Sequence, residues 1–388
     1  MAQDDSRLSD LVSRRKFIAA TGAAGATALA GCSGGNNSDD GGDGTQTTAP
    51  STTQAMSDQE TTEASQSNQM DTSVLTGDGS STVFPITNTG ASFWNSNPEP
   101  GDEDYWPQEW ADQYGTDKRL ADYFAGLYGY EPTGKRSKPP FRVSIALSHS
   151  GTGVEGVMEG RVDIGDSSAP AAAELEGQDV PESEMEKFVD HVVGVDGQPI
   201  VVSKEIKDAG VSQINIEQLR SIYKGEISNW SEVGGPDKEM LVLGRAENSG
   251  TATSFRNNVF GDPNASTSPD QRYGKNQQLQ QAVATADNAI SYLALAFVQP
   301  DGQVPPIGLQ IGDTLYEYGK NLGAKEYPLS RDLHAYTWED TSRKEAAFIN
   351  FILSDFGQQF FVQSNNYFAL PQDRLQTQRE KVAPSNYE

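Results

Sequence analysis
Of the 388 residues one is cysteine, Cys32. No disulfide can therefore close within a single chain, and stability has to come from burial of a core. Histidine is almost as scarce, with His149, His191 and His334 alone. No Cys/His cluster has metal-ligand spacing, so neither a metal nor a cofactor is expected. Positive charge is short as well. Lys and Arg number 29 against 55 Asp and Glu, a formal net charge of −26, which argues against nucleic acid as a partner. Acid is spread along the chain, which suggests a surface adapted to high salt, with an acidic mesophile protein as the alternative. Near 1 M salt the screening length falls to about 3 Å, so an anion site is decided by groups in contact with the ligand. A Walker loop is missing too, because Gly244 to Thr251 lacks the Gly-Lys-Ser/Thr ending. Ser148-His149-Ser150 is not the Gly-x-Ser-x-Gly elbow, and neighbouring side chains on a strand point to opposite faces. A hydrolase is left without a placed base.

What is present begins with an address. Ser13-Arg14-Arg15-Lys16-Phe17 precedes a small, apolar stretch from Ile18 to Gly31, the pattern of a twin-arginine export signal. That stretch is shorter than the roughly 20 residues a membrane-crossing helix needs. It ends in Leu29-Ala30-Gly31-Cys32, which reads as a lipobox with Cys32 as the lipidated residue. Residues 1–32 are thus expected to be a signal. From 33 to 73 the chain is a Ser/Thr/Gly-rich acidic tether, too polar to offset its ordering entropy. A lipid at Cys32 followed by such a tether describes a protein exported and held on the outer face of the cell membrane.

The remaining three hundred or so residues suffice for two lobes. Phe93 to Pro140 is rich in aromatics and reads as packing. His191 to Val195 and Pro199 to Ser203 read as strands that carry the chain between lobes, and the Tyr336–Trp338 run as the way back. Asn215 caps a helix stopped by Gly225. Ser342 to about Gln363 reads as one helix over the first lobe.

Three times a strand runs into a Ser/Thr/Gly loop and then a helix. Val74-Leu75-Thr76 leads to Gly79-Ser80-Ser81-Thr82-Val83 before Pro85. Phe141 to Leu147 alternates, then Ser148 to Gly153 opens a helix. Met240 to Leu243 leads through Arg245 and Glu247 to Ser249-Gly250-Thr251, with Ala252, Phe255 and Val259 on one helical face. A fourth hydroxyl pair, Ser167-Ser168, follows the strand that holds Asp166. Each loop alone also reads as an ordinary helix cap. Together they offer free backbone N–H groups, roughly +0.5 of a charge at each helix start, hydroxyls and one planar cation. That is the chemistry of an oxyanion receptor.

At these motifs the sequence resembles the phosphate-binding proteins of phosphate ABC transporters, over about Val74 to Leu370. The resemblance implies an α/β fold, a two-lobe clamshell of the type II periplasmic-binding-protein kind, with mixed sheets, flanking helices and two hinge crossovers. Lobe I would comprise 74–200 and 332–388, and lobe II 201–331. It implies a non-enzymatic carrier of inorganic phosphate serving the permease subunits of an ABC importer, expected here as a monomer. The matching phosphate contacts are Ser81, Thr82, Val83, Ser150, Ser168, Arg245, Ser249, Gly250 and Thr251. Glu247 matches an acid that pairs with the arginine. Some family members carry aspartate at the position of Ser168, where it accepts the proton of hydrogen phosphate and rejects sulfate. Ser168 can still accept weakly and Asp166 lies two residues away, so selectivity against sulfate or molybdate is left open.

Overall fold
The computed structural model describes residues 70–387. The expected signal, Cys32 and most of the tether lie outside the described residues. The tether's last residues are bound rather than free, because Lys344 Nζ donates to Asp71 Oδ2 and Ser73 Oγ, both at 2.9 Å.

The chain starts with β1 (Leu75–Gly79), β2 (Val143–Ile145), β3 (Ile164–Ser167) and β4 (Phe188–Asp196). It crosses to β5 (Ile200–Val202), β6 (Gln213–Asn215), β7 (Leu241–Arg245), β8 (Gln271–Tyr273), β9 (Ala289–Tyr292), β10 (Pro306–Ile311) and β11 (Thr314–Tyr316). It returns with β12 (Arg331–Trp338). The first sheet has the order β2-β1-β3-β12-β4; β2, β1 and β3 are parallel and β12 runs against both neighbours. The second has the order β11-β10-β5-β9-β7-β8, with β6 beside β10. Ile200 thus belongs to the second sheet and Arg331 to the first, each one residue across the lobe boundaries expected at 200/201 and 331/332.

Helices follow from local chemistry. α1 (Phe84–Ser96) takes Pro85 in its first turn, where no N–H is missed. α2 (Leu120–Gly126) buries Leu120 and Phe124. α3 (Ser150–Met158) follows β2. α4 (Ile216–Lys224) has a capping box from Asn215 and Gln218, and Gly225 ends it at φ 77°. α5 (Gly250–Phe260) follows β7, and α6 (Asn276–Thr285) follows β8. α7 (Arg343–Leu353) is capped by Ser342 and Glu345.

The single helix expected from Ser342 to Gln363 breaks at Ser354, whose backbone is extended at ψ 159°. Its hydroxyl accepts from the Gly357 N–H and so caps the next helical turn instead. The break turns Phe356 and Phe361 into the first lobe's core. There Trp106, Trp110 and Phe351 meet Phe356 at ring-centroid distances of 5.3, 5.5 and 6.1 Å. The aromatic segment is packing, as its composition suggested.

Candidate functional site
Four strand-to-helix connections point into one cleft, the usual place for ligands in such sheets. They are residues 80–83 between β1 and α1, 146–149 between β2 and α3, 246–249 between β7 and α5, and 274–275 between β8 and α6. The first two come from the first sheet's lobe and the last two from the second.

Arg245, the last residue of β7, is 1 % exposed. Its Nη2 donates to Ser81 Oγ across the cleft at 3.1 Å and to the Gly274 carbonyl at 2.8 Å, and Nε donates to the Tyr273 carbonyl. Nη1 is buried without a partner. Burial pulls the guanidinium pKa down to about 9. An arginine held this way gains by meeting an anion.

Ser81, Thr82 and Ser150 each accept from at least one N–H donor. Ser81 Oγ accepts from Arg245 Nη2, the Asn276 N–H and Asn276 Nδ2. Thr82 Oγ1 accepts from Asn276 Nδ2 at 3.0 Å and lies 2.9 Å from Thr251 Oγ1 of the other lobe. Ser150 Oγ accepts from the Ser168 N–H at 3.2 Å and lies 3.3 Å from Ser168 Oγ. A hydroxyl whose lone pairs are taken has only its hydrogen left to offer. The cleft therefore presents donors, and the starts of α3 and α5 add their unpaired first-turn amides.

Gly250 fixes how closely the lobes meet. A Cβ there would lie 2.2 Å from Ser150 Oγ and 2.8 Å from Ser168 Oγ. Ser254 Oγ adds a bond to the Ser168 carbonyl at 2.7 Å. Ser249, 1 % exposed, caps α5 with extended backbone, and the fully buried Val83 precedes α1. Val83 can offer the cleft its backbone alone.

Two expected helpers sit elsewhere. Glu247 pairs with Arg256 Nη1 and Arg272 Nη2, both at 2.8 Å, and not with Arg245. The strand ends at Arg245 and the turn closed by Ser249 N–H to the Ala246 carbonyl swings Glu247 outward, leaving its side chain 66 % exposed. Arg272 Nη1 in turn reaches the Arg245 carbonyl, so the acid supports that backbone at one remove. Asp166 faces α1, where one oxygen accepts from Thr87 Oγ1 at 2.7 Å and the other has no partner. Full burial pushes its pKa up to about 7.

Sequence reasoning missed Asn276, whose Oδ1 is also buried without a partner, and the Arg331–Asp196 pair. Asn276 carried a faint signal as the first residue of a helix after a strand. Sequence reasoning also held that nothing matches Gly-x-Gly-x-x-Gly, and this was wrong: Gly151-Thr152-Gly153-Val154-Glu155-Gly156 has that spacing after a strand. Here those glycines serve packing. A Cβ on Gly153 would meet the Asp78 carbonyl at 2.7 Å, and one on Gly156 would meet Val162 at 3.2 Å.

A family model for the PBP superfamily domain matches residues 131–355. The phosphate-binding protein PstS of Bacillus subtilis (strain 168) is 29% identical over 231 residues, 59% of this chain and 71% of the relative. The PstS of Staphylococcus aureus (strain MRSA252) is 23% identical over 249 residues, 62% of this chain and 73% of the relative. Among solved structures, a putative phosphate ABC transporter substrate-binding protein with bound phosphate from Clostridium perfringens superposes with a TM-score of 0.57 at 22% identity, covering 77% of this chain and 100% of the other. An ABC-type phosphate transport receptor from Vibrio cholerae gives 0.50 at 22% identity, with 76% and 100% covered. These two likenesses bear on the fold.

Proposed function
This chain belongs to the PBP superfamily, and from that premise we propose that it captures inorganic phosphate between its two lobes and delivers it to the permease subunits of an ABC importer. The observation that carries the reading is the unpartnered Nη1 of Arg245, buried beside Ser81, whose hydroxyl already accepts from three N–H groups. The names of the curated relatives support phosphate as the anion. The contacts are Ser81, Thr82, Val83, Ser150, Ser168, Arg245, Ser249, Gly250 and Thr251, with Asn276 added. Charge-assisted hydrogen bonds contribute roughly 1.5–3 kcal/mol each, so a few of them sustain a micromolar site at about −8 kcal/mol. The protein is a carrier and not a catalyst, exported by the signal in residues 1–32 and anchored through Cys32. It acts as a monomer, and the acidic surface suits high salt.

Isothermal titration of the mature chain with phosphate and with sulfate, in molar salt, tests the reading. Heat from phosphate at micromolar concentration is expected; no heat from either anion refutes it. Competition with sulfate and molybdate measures what the absence of an acid at Ser168 does to selectivity. The anchoring is checked by mass spectrometry of membrane-extracted protein, where a lipid-modified N-terminal Cys32 is expected.

A further inference from the structure
Asp196 and Arg331 face each other directly in the β4–β12 ladder. One is the last residue before the chain leaves the first sheet and the other the first residue after it returns. Both are buried, with Asp196 0 % and Arg331 7 % exposed. Arg331 Nε and Nη2 both donate to Asp196 Oδ2, at 3.0 and 2.6 Å, while Asp196 Oδ1 accepts from the Leu295 N–H. The guanidinium's charge is therefore matched before any ligand arrives.

Its other donor contacts go to four groups in the cleft. Nη1 points at the carbonyls of Ser168 (3.4 Å) and Gly250 (3.3 Å). Nη2 points at Thr82 Oγ1 (3.4 Å) and Thr251 Oγ1 (3.2 Å). Ser168 and Thr82 lie in the first sheet's lobe, Gly250 and Thr251 in the second's. One rigid, planar group thus touches each lobe twice from the point where the chain crosses between them.

We propose that Arg331 is a positioning residue of the anion site, which fills the acceptor sides of Thr82 and Thr251 and ties closure of the lobes to occupancy of the cleft. The proposal rests on the anion-binding reading above. One hydroxyl hydrogen is spent between Thr82 and Thr251; with Arg331 on their acceptor sides, the pair has the other left to turn toward the ligand, and the Gly250 carbonyl holds the start of α5 against the first lobe. A lysine keeps the charge and can keep Asp196 company, but a single ammonium cannot span four acceptors in a plane.

Arg331→Lys is the test, read by phosphate titration and by stopped-flow dissociation. Phosphate affinity is expected to fall at least tenfold, mostly through faster release, since loss of a clamp acts on dissociation. A folded Arg331→Lys with wild-type affinity and release rate overturns the proposal. Should that variant not fold, hydrogen–deuterium exchange on the wild-type chain decides. Saturating phosphate is expected to slow exchange at least tenfold in peptides spanning 194–200 and 327–333; unchanged rates there overturn the proposal. Wild-type chain that takes up neither phosphate nor sulfate overturns the binding reading and this one together. Uptake by wild type with an indifferent Arg331→Lys overturns this one alone.

Discussion

The β7–α5 side of the cleft and the β12 side each bury an arginine, and they treat its charge differently. Arg331 meets Asp196 within its own sheet, so its charge is balanced whether or not the cleft is filled. Arg245 has carbonyls and a serine hydroxyl for partners, and one nitrogen with none. Burying an ion without a counter-charge costs several kcal/mol, and the same burial pulls the Arg245 pKa down to about 9. The difference teaches which arginine the ligand completes. A balanced pair organises its neighbours, whereas an unbalanced cation recruits an anion.

The largest expected effect removes the unbalanced charge. Arg245→Ala should weaken phosphate binding by about 3–4 kcal/mol, several hundredfold, the range for truncating one partner of a buried charged contact. Titration with phosphate measures it, and wild-type affinity would place the cation outside the site. Next comes the contact between the two sides. Gly250→Ala would put a methyl group into Ser150 and Ser168, so closure should be hindered and binding weakened by about 2 kcal/mol. Small-angle scattering should then show less compaction on phosphate addition than the wild type shows.

Asp166 sharpens the comparison from the other sign of charge. It too is buried without a counter-charge, but a carboxyl can escape by holding a proton, and burial raises its pKa to about 7. An acid with a raised folded-state pKa binds more protons in the folded state. Its favourable contribution is complete below about pH 4 and is lost as pH rises to about 7. The slope approaches about 1.4 kcal/mol per pH unit at most. Asp166→Asn should flatten this part of the stability profile in chemical denaturation at pH 4.5 to 7; a slope that survives the change would assign it to other groups. The smallest effect is expected at Glu247, an exposed acid on Arg256 and Arg272. Glu247→Gln should cost less than about 1 kcal/mol in unfolding free energy and leave phosphate affinity near wild type. A tenfold loss of affinity would restore it to the role of steadying Arg245.

The strand, hydroxyl loop and helix start at residues 75–84, 143–150 and 241–250 were legible because each is local. Strand alternation, a Ser/Gly turn and the 3.6-residue apolar face lie within a dozen residues of one another. Arg245 could be read because it sits inside such a stretch. Arg331 could not, since its meaning depends on a partner 135 positions earlier in sequence and on a ladder register that no local pattern states. Glu247 misled for a related reason. Two residues along a strand would share a face, but the strand stops at Arg245 and the turn rotates the acid away. The stop at Ser354 was hidden because apolar spacing continues past it; the helix ends on the extended backbone of Ser354, whose hydroxyl accepts from the Gly357 N–H, and a side chain at position 357 would run into the Phe351 and Ile352 carbonyls.

The charged pairs nearest the cleft, Arg331 with Asp196 and Glu247 with Arg256 and Arg272, each stay inside one lobe. What spans the gap is hydroxyl to hydroxyl, hydroxyl to carbonyl, the N–H groups of Arg245 and Asn276 on the hydroxyls of Ser81 and Thr82, and Lys275 Nζ on the Leu147 carbonyl. Parting the lobes at these contacts pulls no cation away from its anion. Salt should consequently act on opening and closing through the net negative charge that the two lobes share, and not by breaking an ion pair at these contacts.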